Sequence, residues 1–230
     1  MKDIFREHFQ KMFDIYFLRY PNSAFVAVAA TMRKVRSDLI SDILFKYPQH
    51  EPDELADVNK MYEFVRSDCT LEAICYYRIA RAIFLKSEKH PALPYLANLM
   101  RMRTGIELYY STSIAPGLNI QHGVGIVIGP RNRIGRNFII HQGVTIGQRR
   151  LGARDESATI GDNVTVSAGA KVLGSVTIGD NAQIGANAVL ITDAEPNSVY
   201  VGIPAKKVSK ADSRIFSGPT RAGVSHRATL

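Results

Sequence analysis

Two histidines and two cysteines supply side chains whose chemistry suits catalysis near neutral pH. His122 lies in the glycine-rich segment QHGVG, and His141 begins the segment HQGVTIG. Neutral imidazole can accept a proton from a group of much higher pKa, so either histidine is a candidate general base. A histidine in such a turn is otherwise typical of a surface, capping or outward-stacking residue. The residue types alone leave this choice open.

Cys69 and Cys75 are candidate nucleophiles for covalent catalysis. They lie in a hydrophobic segment of helical character without a surrounding motif, so we expect buried packing instead of reaction. Their spacing matches neither a metal site nor a disulfide framework, which favours a reducing cytoplasm and no bound metal.

The composition limits the class of protein. The chain has 230 residues, 46% hydrophobic and 22% charged, with a formal charge of +8. Its basic residues are scattered, so an anionic small-molecule ligand explains the charge at least as well as nucleic acid does. The start, MKDIFREHFQ, lacks the apolar core of a signal peptide, and no stretch approaches the roughly 18 apolar residues of a membrane span. We therefore expect a soluble, cytoplasmic protein.

The first 104 residues favour helices. They contain no glycine, and their apolar residues recur at three- and four-residue steps. We predict five or six helices, including a buried one over residues 71–85 and a last one over residues 95–102, with a break near Pro48 and Pro52. The N-terminal positions with this spacing are Ile4, Phe5, Phe9, Phe13 and Phe17.

From Gly105 onwards the repeat changes to six residues. This period predicts a parallel β-helix over residues 105–208, because each flat face takes about six residues and points one aliphatic side chain inward. Two breaks interrupt the phase: an insertion of two residues shifts the repeat between Ile126 and Ile128, and the excess within residues 147–159 predicts a projecting loop. Residues 209–230 form a polar tail, which we expect to be flexible or draped over a neighbouring subunit. The repeat positions are Ile114, Ile120, Ile126, Ile128, Ile134, Ile140, Ile146, Ile160, Val166, Val172, Ile178, Ile184 and Leu190.

Residues 105–208 resemble the serine O-acetyltransferase family without a gap. The resemblance implies a left-handed β-helix, acetyl-CoA as acyl donor, and a homotrimer with active sites between subunits, which pairs into a dimer of trimers in many relatives. The helical half matches more weakly, chiefly at Tyr77–Ile79. The matching stretches include GIELYYSTSIAPGLNIQHGVGIVIG, HQGVTIG, TIGDNVTVSAGAKVLGSVTIGDNAQIGANAVL and VYVGIPAKKV.

Matched residue by residue, the resemblance implies that His122 is the catalytic base and Glu107 its carboxylate partner. Such a carboxylate fixes the imidazole tautomer and stabilises the imidazolium that forms when a hydroxyl loses its proton. Acetyl-CoA is expected in the groove between coils, with the basic residues at its phosphates. The implied contacts are Gly147, Gln148, Ala168, Ala186, Lys206 and Lys207, with Arg149 and Arg150 as alternative phosphate contacts.

The acceptor positions depart from the family pattern. Gln121 replaces an aspartate before the histidine, and Glu156 and Ser157 replace an Arg-His pair that holds the serine carboxylate. A glutamate there would repel a carboxylate, so we expect a sugar acceptor of capsule, exopolysaccharide or lipopolysaccharide assembly. Asp68 and His141 are further candidates to line this site. The alternatives are serine, a nitrogen acceptor such as an amino sugar, and a non-catalytic β-helix scaffold.

Overall fold

The structure is a computed structural model that describes residues 23–150, 152–153 and 155–208. It consists of a helical region followed by a parallel β-helix, which confirms the predicted fold class. The predicted helix around Ile4–Phe17 and the tail 209–230 lie outside the described residues.

Four α-helices and a short 3-10 turn form the described part of the helical region. The predicted break near Pro48 is present, and the predicted buried helix is α3, whose Asp68 N-cap accepts a hydrogen bond from the Thr70 amide at 2.8 Å. Gly105, at φ 68°, ends α4. Within the described ranges, no helix is both long and apolar enough to cross a membrane. The elements are α1 (Ser23–Lys46), the 3-10 turn (Glu54–Ala56), α2 (Val58–Ser67), α3 (Cys69–Phe84) and α4 (Ala92–Thr104).

The described residues include fifteen short strands of the β-helix. They are β1 (Glu107–Leu108), β2 (Ser113–Ile114), β3 (Asn119–Gln121), β4 (Val127–Ile128), β5 (Arg133–Ile134), β6 (Ile139–His141), β7 (Thr145–Gly147), β8 (Thr159–Ile160), β9 (Thr165–Val166), β10 (Lys171–Leu173), β11 (Thr177–Ile178), β12 (Gln183–Ile184), β13 (Val189–Leu190), β14 (Val199–Val201) and β15 (Lys206–Lys207). Sheet A orders β1-β4-β7-β10-β13, sheet B orders β2-β5-β8-β11, and sheet C orders β3-β6-β9-β12-β14-β15. Each of the first four coils therefore contributes one strand to each face, and the fifth has only an isolated bridge at Ala194 on sheet B. Among the described strands, only β15 runs antiparallel.

The aliphatic repeat positions stack in register inside the coils. Ile128 pairs with Leu108 and Ile146, and Val172 continues the same row. All four are essentially inaccessible to solvent. The six-residue period predicted these positions because each inward side chain packs on the equivalent one of the next coil.

Side chains of α1 and α3 cover the open edge of the first coil. In all three sheets the first-coil strand is an edge strand, which leaves backbone groups unpaired. The helices satisfy these groups through five residues that we call the edge cap: Asp42, Lys46, Tyr77, Arg78 and Arg81. Asp42 accepts hydrogen bonds from the amides of Gly117 and Leu118, and the Tyr77 hydroxyl accepts one from the Ile114 amide and donates one to the Thr112 carbonyl. The three basic side chains donate to backbone carbonyls: Lys46 to Ile120, Arg78 to Ile114 and Ala115, and Arg81 to Tyr110 and Ser111.

Asparagines line the corner between sheets B and C. Asn137 donates to Asn163 at 3.0 Å, Asn163 to Asn181 at 3.2 Å, and Asn181 to Asn197 at 2.9 Å. All four have positive φ, between 53° and 58°. Asparagine tolerates this left-handed conformation, and its short amide bonds the next coil. We call this row the asparagine corner.

Candidate active site

His122 lies in an enlarged turn between sheets C and A. Eight positions separate the inward residues Ile120 and Ile128, whereas six separate Ile140 and Ile146 at the same corner one coil later. The amide of Gly123 donates to the Gln121 carbonyl at 2.8 Å across His122, whose φ is 64°. A γ-turn with positive φ at its central residue is rare and strained, and such strain concentrates at functional sites.

A larger residue at Gly123 would strain the turn, because the φ of Gly123 is 81° and its neighbours are close. A Cβ there would lie 2.6 Å from the Ile106 side chain and 3.2 Å from Thr70 Cγ2. The turn is therefore packed between the first coil and α3. His122 itself is exposed, and its ring makes no hydrogen bond within the described part of the chain.

Small and polar residues continue the corner below His122, and we call this row the histidine corner. Gln121 pairs in register with His141, which places Gln142 beneath the turn. The Gln142 carbonyl accepts from Gly169 N at 2.9 Å, and the Ala168 carbonyl accepts from Asn187 N at 2.8 Å. The row His122, Gln142, Ala168 and Ala186 thus brings the candidate base and two candidate donor contacts to one corner.

Two polar groups of this corner have unmet hydrogen-bonding capacity. The buried Gln142 Oε1 has no partner among the described residues. His141 is half-buried, and its ring makes no hydrogen bond there either. Burial, reinforced by the nearby charge of His122 when protonated, lowers the pKa of His141 and keeps its ring neutral at neutral pH. Gln121 instead donates its amide to Asn119 at 2.8 Å.

Glu107 lies beside the end of the turn, and its carboxylate does not form a hydrogen bond with His122. The Glu107 amide donates to the Ile126 carbonyl at 2.9 Å, so β1 runs beside the end of the turn. The carboxylate points to Arg101, with 3.6 Å between Glu107 Oε2 and Arg101 Nε. Catalytic hydrogen bonds are often long or absent before substrate binds.

The Glu156 carboxylate is bonded within its own loop, which weakens the expected repulsion of a carboxylate by this residue. Its side chain accepts from Arg149 N at 2.6 Å and from Arg150 N at 3.3 Å, and it pairs with Arg150 Nε at 3.0 Å. These hydrogen bonds, chiefly the one from Arg149 N, lower the pKa of the Glu156 carboxyl. The Glu156 carboxylate thus joins the two ends of the predicted loop. The next residue, Ser157, is half-buried.

The other candidate donor contacts lie away from the histidine corner. Gly147 ends β7, and its carbonyl accepts a hydrogen bond from Gly174 N at 2.9 Å. Gly147 and Gln148 therefore lie where the sheet A strands end, whereas the histidine corner lies where they begin. Lys206 and Lys207 are exposed in β15 at the far end of the β-helix, where Lys207 pairs with Glu195. Sheet A therefore separates two groups of predicted contacts.

Asp68 and the cysteines lie in the helical region. Both Asp68 oxygens are engaged, Oδ1 by Thr70 N and Oδ2 by Lys46 and Tyr47. Burial raises the pKa of the Cys75 thiol, which packs in the core as expected. Cys69 is exposed, contrary to expectation, because it begins α3. No three metal-ligating side chains cluster among the described residues.

The known proteins that this chain resembles are named as acetyltransferases. A model of the family described as bacterial transferase hexapeptide (six repeats) matches residues 157–192. A serine acetyltransferase of Staphylococcus xylosus is 37% identical over 181 residues, covering 75% of this chain and 82% of that protein. A serine acetyltransferase of Helicobacter pylori is 40% identical over 140 residues, covering 61% and 81%. Both matches are longer than the β-helix, so they include part of the helical region.

A solved structure agrees with these relatives. The serine acetyltransferase of Neisseria gonorrhoeae in complex with serine superposes with a TM-score of 0.67 at 27% identity, covering 79% of this chain and 72% of that one. Because these relatives share one name, they favour serine over the expected sugar acceptor and do not support the polysaccharide branch.

Proposed function

Since the chain belongs to the serine acetyltransferase family of hexapeptide-repeat acyltransferases, we propose that it transfers an acetyl group from acetyl-CoA to the hydroxyl of serine. One observation carries the role of its base. His122 presents an exposed imidazole without hydrogen bonds from a strained turn, at the head of a corner lined by Ala168 and Ala186. A binding scaffold has no need of this strain.

The reaction follows from the chemistry of a thioester and a hydroxyl. The His122 imidazole takes the proton of the acceptor hydroxyl while its oxygen attacks the thioester carbonyl carbon. The tetrahedral intermediate then collapses, the carbon–sulfur bond breaks, and the imidazolium returns the proton to the CoA sulfur. The negative oxygen of the intermediate needs a hydrogen-bond donor. The unpartnered Oε1 of Gln142 is an acceptor, so the donor must be an N–H or O–H group.

Glu107 is proposed as the carboxylate behind His122. Its backbone already lies beside the turn, so a change of side-chain rotamer would move the carboxylate from Arg101 towards the imidazole. A carboxylate in that place stabilises the imidazolium formed during transfer. The exposed Arg101 would release it at little cost, because exposed ion pairs contribute about 0–1 kcal/mol.

The donor is proposed to lie along the histidine corner. Ala168 and Ala186 leave room for a chain to run close to the backbone, and the cations at the far end of the β-helix suit phosphates. Lys206 is more available than Lys207, which is paired with Glu195. Gly147 and Gln148, across sheet A, are proposed to contact the same donor from a neighbouring subunit.

We favour serine over a sugar because the relatives bear that name and because Glu156 is occupied. Its carboxylate bonds the loop backbone and Arg150, so it gives no reason to exclude an amino-acid carboxylate. Gln121 and Ser157 still differ from the family pattern. A neutral amide at Gln121 predicts weaker binding of the serine ammonium than an aspartate would give.

The active assembly is proposed to be a homotrimer. Val124 and Val127 flank the catalytic turn and are 67% and 37% exposed. Exposed apolar side chains beside a candidate site are typical of a subunit interface. A partner subunit packed there would also exclude water from the base.

The test is release of CoA, followed with a thiol reagent, from acetyl-CoA plus L-serine, threonine or nucleotide sugars. We expect release and an O-acetylated product with serine, and neither with His122→Asn under the same conditions. Release with a nucleotide sugar but not with serine would overturn the acceptor. No release with any acceptor and no CoA binding would overturn the reaction.

A further inference from the structure

Lys46 is the member of the edge cap whose backbone partner is nearest in sequence to His122. It ends α1, and its Nζ donates to the Ile120 carbonyl at 2.9 Å. Ile120 is the middle residue of the edge strand β3, which continues through Gln121 directly into His122. A bond at this carbonyl therefore acts two residues before the imidazole.

Three acceptors surround the Lys46 ammonium. Besides Ile120, they are Asp68 Oδ2 at 2.6 Å and the Thr70 hydroxyl. The Lys46 side chain is 10% exposed and that of Asp68 is 16% exposed. An ammonium has three N–H donors, so all of its capacity is used. Lys46 is thus held in place and is not free to bind an anionic ligand.

The acceptors are themselves anchored by the helical region. Asp68 caps α3 through the Thr70 amide and accepts the Tyr47 hydroxyl at 2.8 Å. Burial alone would raise the pKa of Asp68, but the hydrogen bonds from Lys46, Tyr47 and Thr70 together lower it. The charge that holds Lys46 therefore persists throughout the neutral range.

The same helix start also borders the turn. Thr70 Cγ2 would lie 3.2 Å from a Cβ placed at Gly123, the residue after His122, so the two residues are close neighbours. Lys46 therefore bonds the strand before the turn, and Thr70 borders the turn itself. Among the described strands of sheet C, β3 pairs with β6 on one side only, so contacts from the helical region support its other side.

We propose that Lys46 is a positioning residue for the catalytic turn, which fixes the aim of His122 by holding the Ile120 carbonyl against the start of α3. The inference rests on the proposed role of His122. Displacement of a catalytic group by about 1 Å can cost up to about 100-fold in rate. The helical region would then act directly on the reaction.

The test compares Lys46→Met with Lys46→Arg and with Lys34→Met. Lys34 is a matched control, because it is a lysine of the same helix that also pairs with an aspartate, Asp38, but is 74% exposed. We expect Lys46→Met to lower kcat by about 10- to 100-fold with little change in the KM for acetyl-CoA. Lys46→Arg, which can still donate to Ile120, should recover part of kcat. Lys34→Met should match the wild type.

Two additions make a negative result informative. Lys46→Met with Asp68→Asn removes the unpaired charge, so a stable fold with low kcat supports the loss of the Ile120 bond as the cause. NMR of histidine labelled with 13C in the ring should show the His122 signal shifted in Lys46→Met and unchanged in Lys34→Met. This signal does not depend on acetyl transfer, so it separates failure of this inference from failure of the proposed function. An unchanged His122 signal, or an unchanged kcat in an enzyme active with serine, would overturn the inference.

Discussion

Two corners of the same β-helix use positive φ for opposite purposes. At the asparagine corner, each left-handed residue bonds the equivalent residue of the next coil. At the histidine corner, His122 is a left-handed residue of the first coil whose ring bonds nothing in the described chain, and the Gln142 below it has an unpartnered amide oxygen. The polar groups of the asparagine corner bond one another and stabilise the fold, whereas those of the histidine corner remain available to a ligand. Positive φ alone therefore does not mark a site; unmet hydrogen-bonding capacity does.

The largest contrast is expected from His122→Asn. Asparagine tolerates the left-handed turn, so the fold should be retained while the base is lost. Turnover should fall by about 10²–10⁴-fold, the usual scale of general-base catalysis. Steady-state kinetics and calorimetric binding of CoA check this. Turnover within a few-fold of the wild type would remove His122 from its role.

The asparagine corner should respond in stability instead. Asn163→Ala forces alanine into φ near 57° and removes two ladder contacts. We expect a loss of about 2–3 kcal/mol of unfolding free energy, from about 1–2 for the left-handed conformation and about 1 for the bonds. Asn163→Gly, which keeps the conformation, should lose less. Denaturant unfolding measures both, and equal losses would show that conformation does not matter there.

A bulky side chain at the histidine corner should weaken binding of acetyl-CoA without changing the stability of the protein. Ala186→Leu adds volume to an exposed position of the histidine corner, so it should raise the KM for acetyl-CoA by at least about tenfold, or 1.4 kcal/mol. Stability should hardly change, because surface substitutions usually stay within about 0.5 kcal/mol. Thr177→Leu, exposed on sheet B, is the matched control. If both variants bind acetyl-CoA like the wild type, the donor does not follow this corner.

The smallest expected difference is in pH dependence. Burial lowers the pKa of His141, so near its ordinary pKa the folded protein binds fewer protons than the unfolded chain. Stability should therefore rise with pH through that range and fall as the pH drops below it. His141→Gln should flatten this slope. Thermal unfolding at pH 5.5 and 7.5 checks the sign, and an unchanged slope would place the titration elsewhere.

The sequence predicted repeats better than it predicted partners. The six-residue period located the inward positions of the coils, and the phase break at Ile126–Ile128 marked the enlarged turn of His122. The asparagine corner was missed, although asparagine recurs two residues after glycine at Asn137, Asn163 and Asn181. The period sufficed because stacking depends on residue type and spacing alone.

Glu156 and Lys46 show why the remainder could not be predicted. Each is a charged residue whose type is compatible with a ligand site. Glu156 instead closes its own loop, and Lys46 reaches a carbonyl 74 positions away. Such partners depend on how the loop folds and how the helices dock on the first coil, which no local pattern contains.

The stacked coils also act as a length gauge. His122, Gln142, Ala168 and Ala186 occupy successive coils, and Gly202 follows on the fifth. Neighbouring strands are about 4.8 Å apart, so four steps separate His122 from Gly202 by roughly 19 Å. The number of coils thus sets the span between the base and the terminal lysines. Deleting one coil would shorten that span by about 5 Å while leaving every local contact type intact. The number of repeats can therefore determine which length of ligand the protein selects.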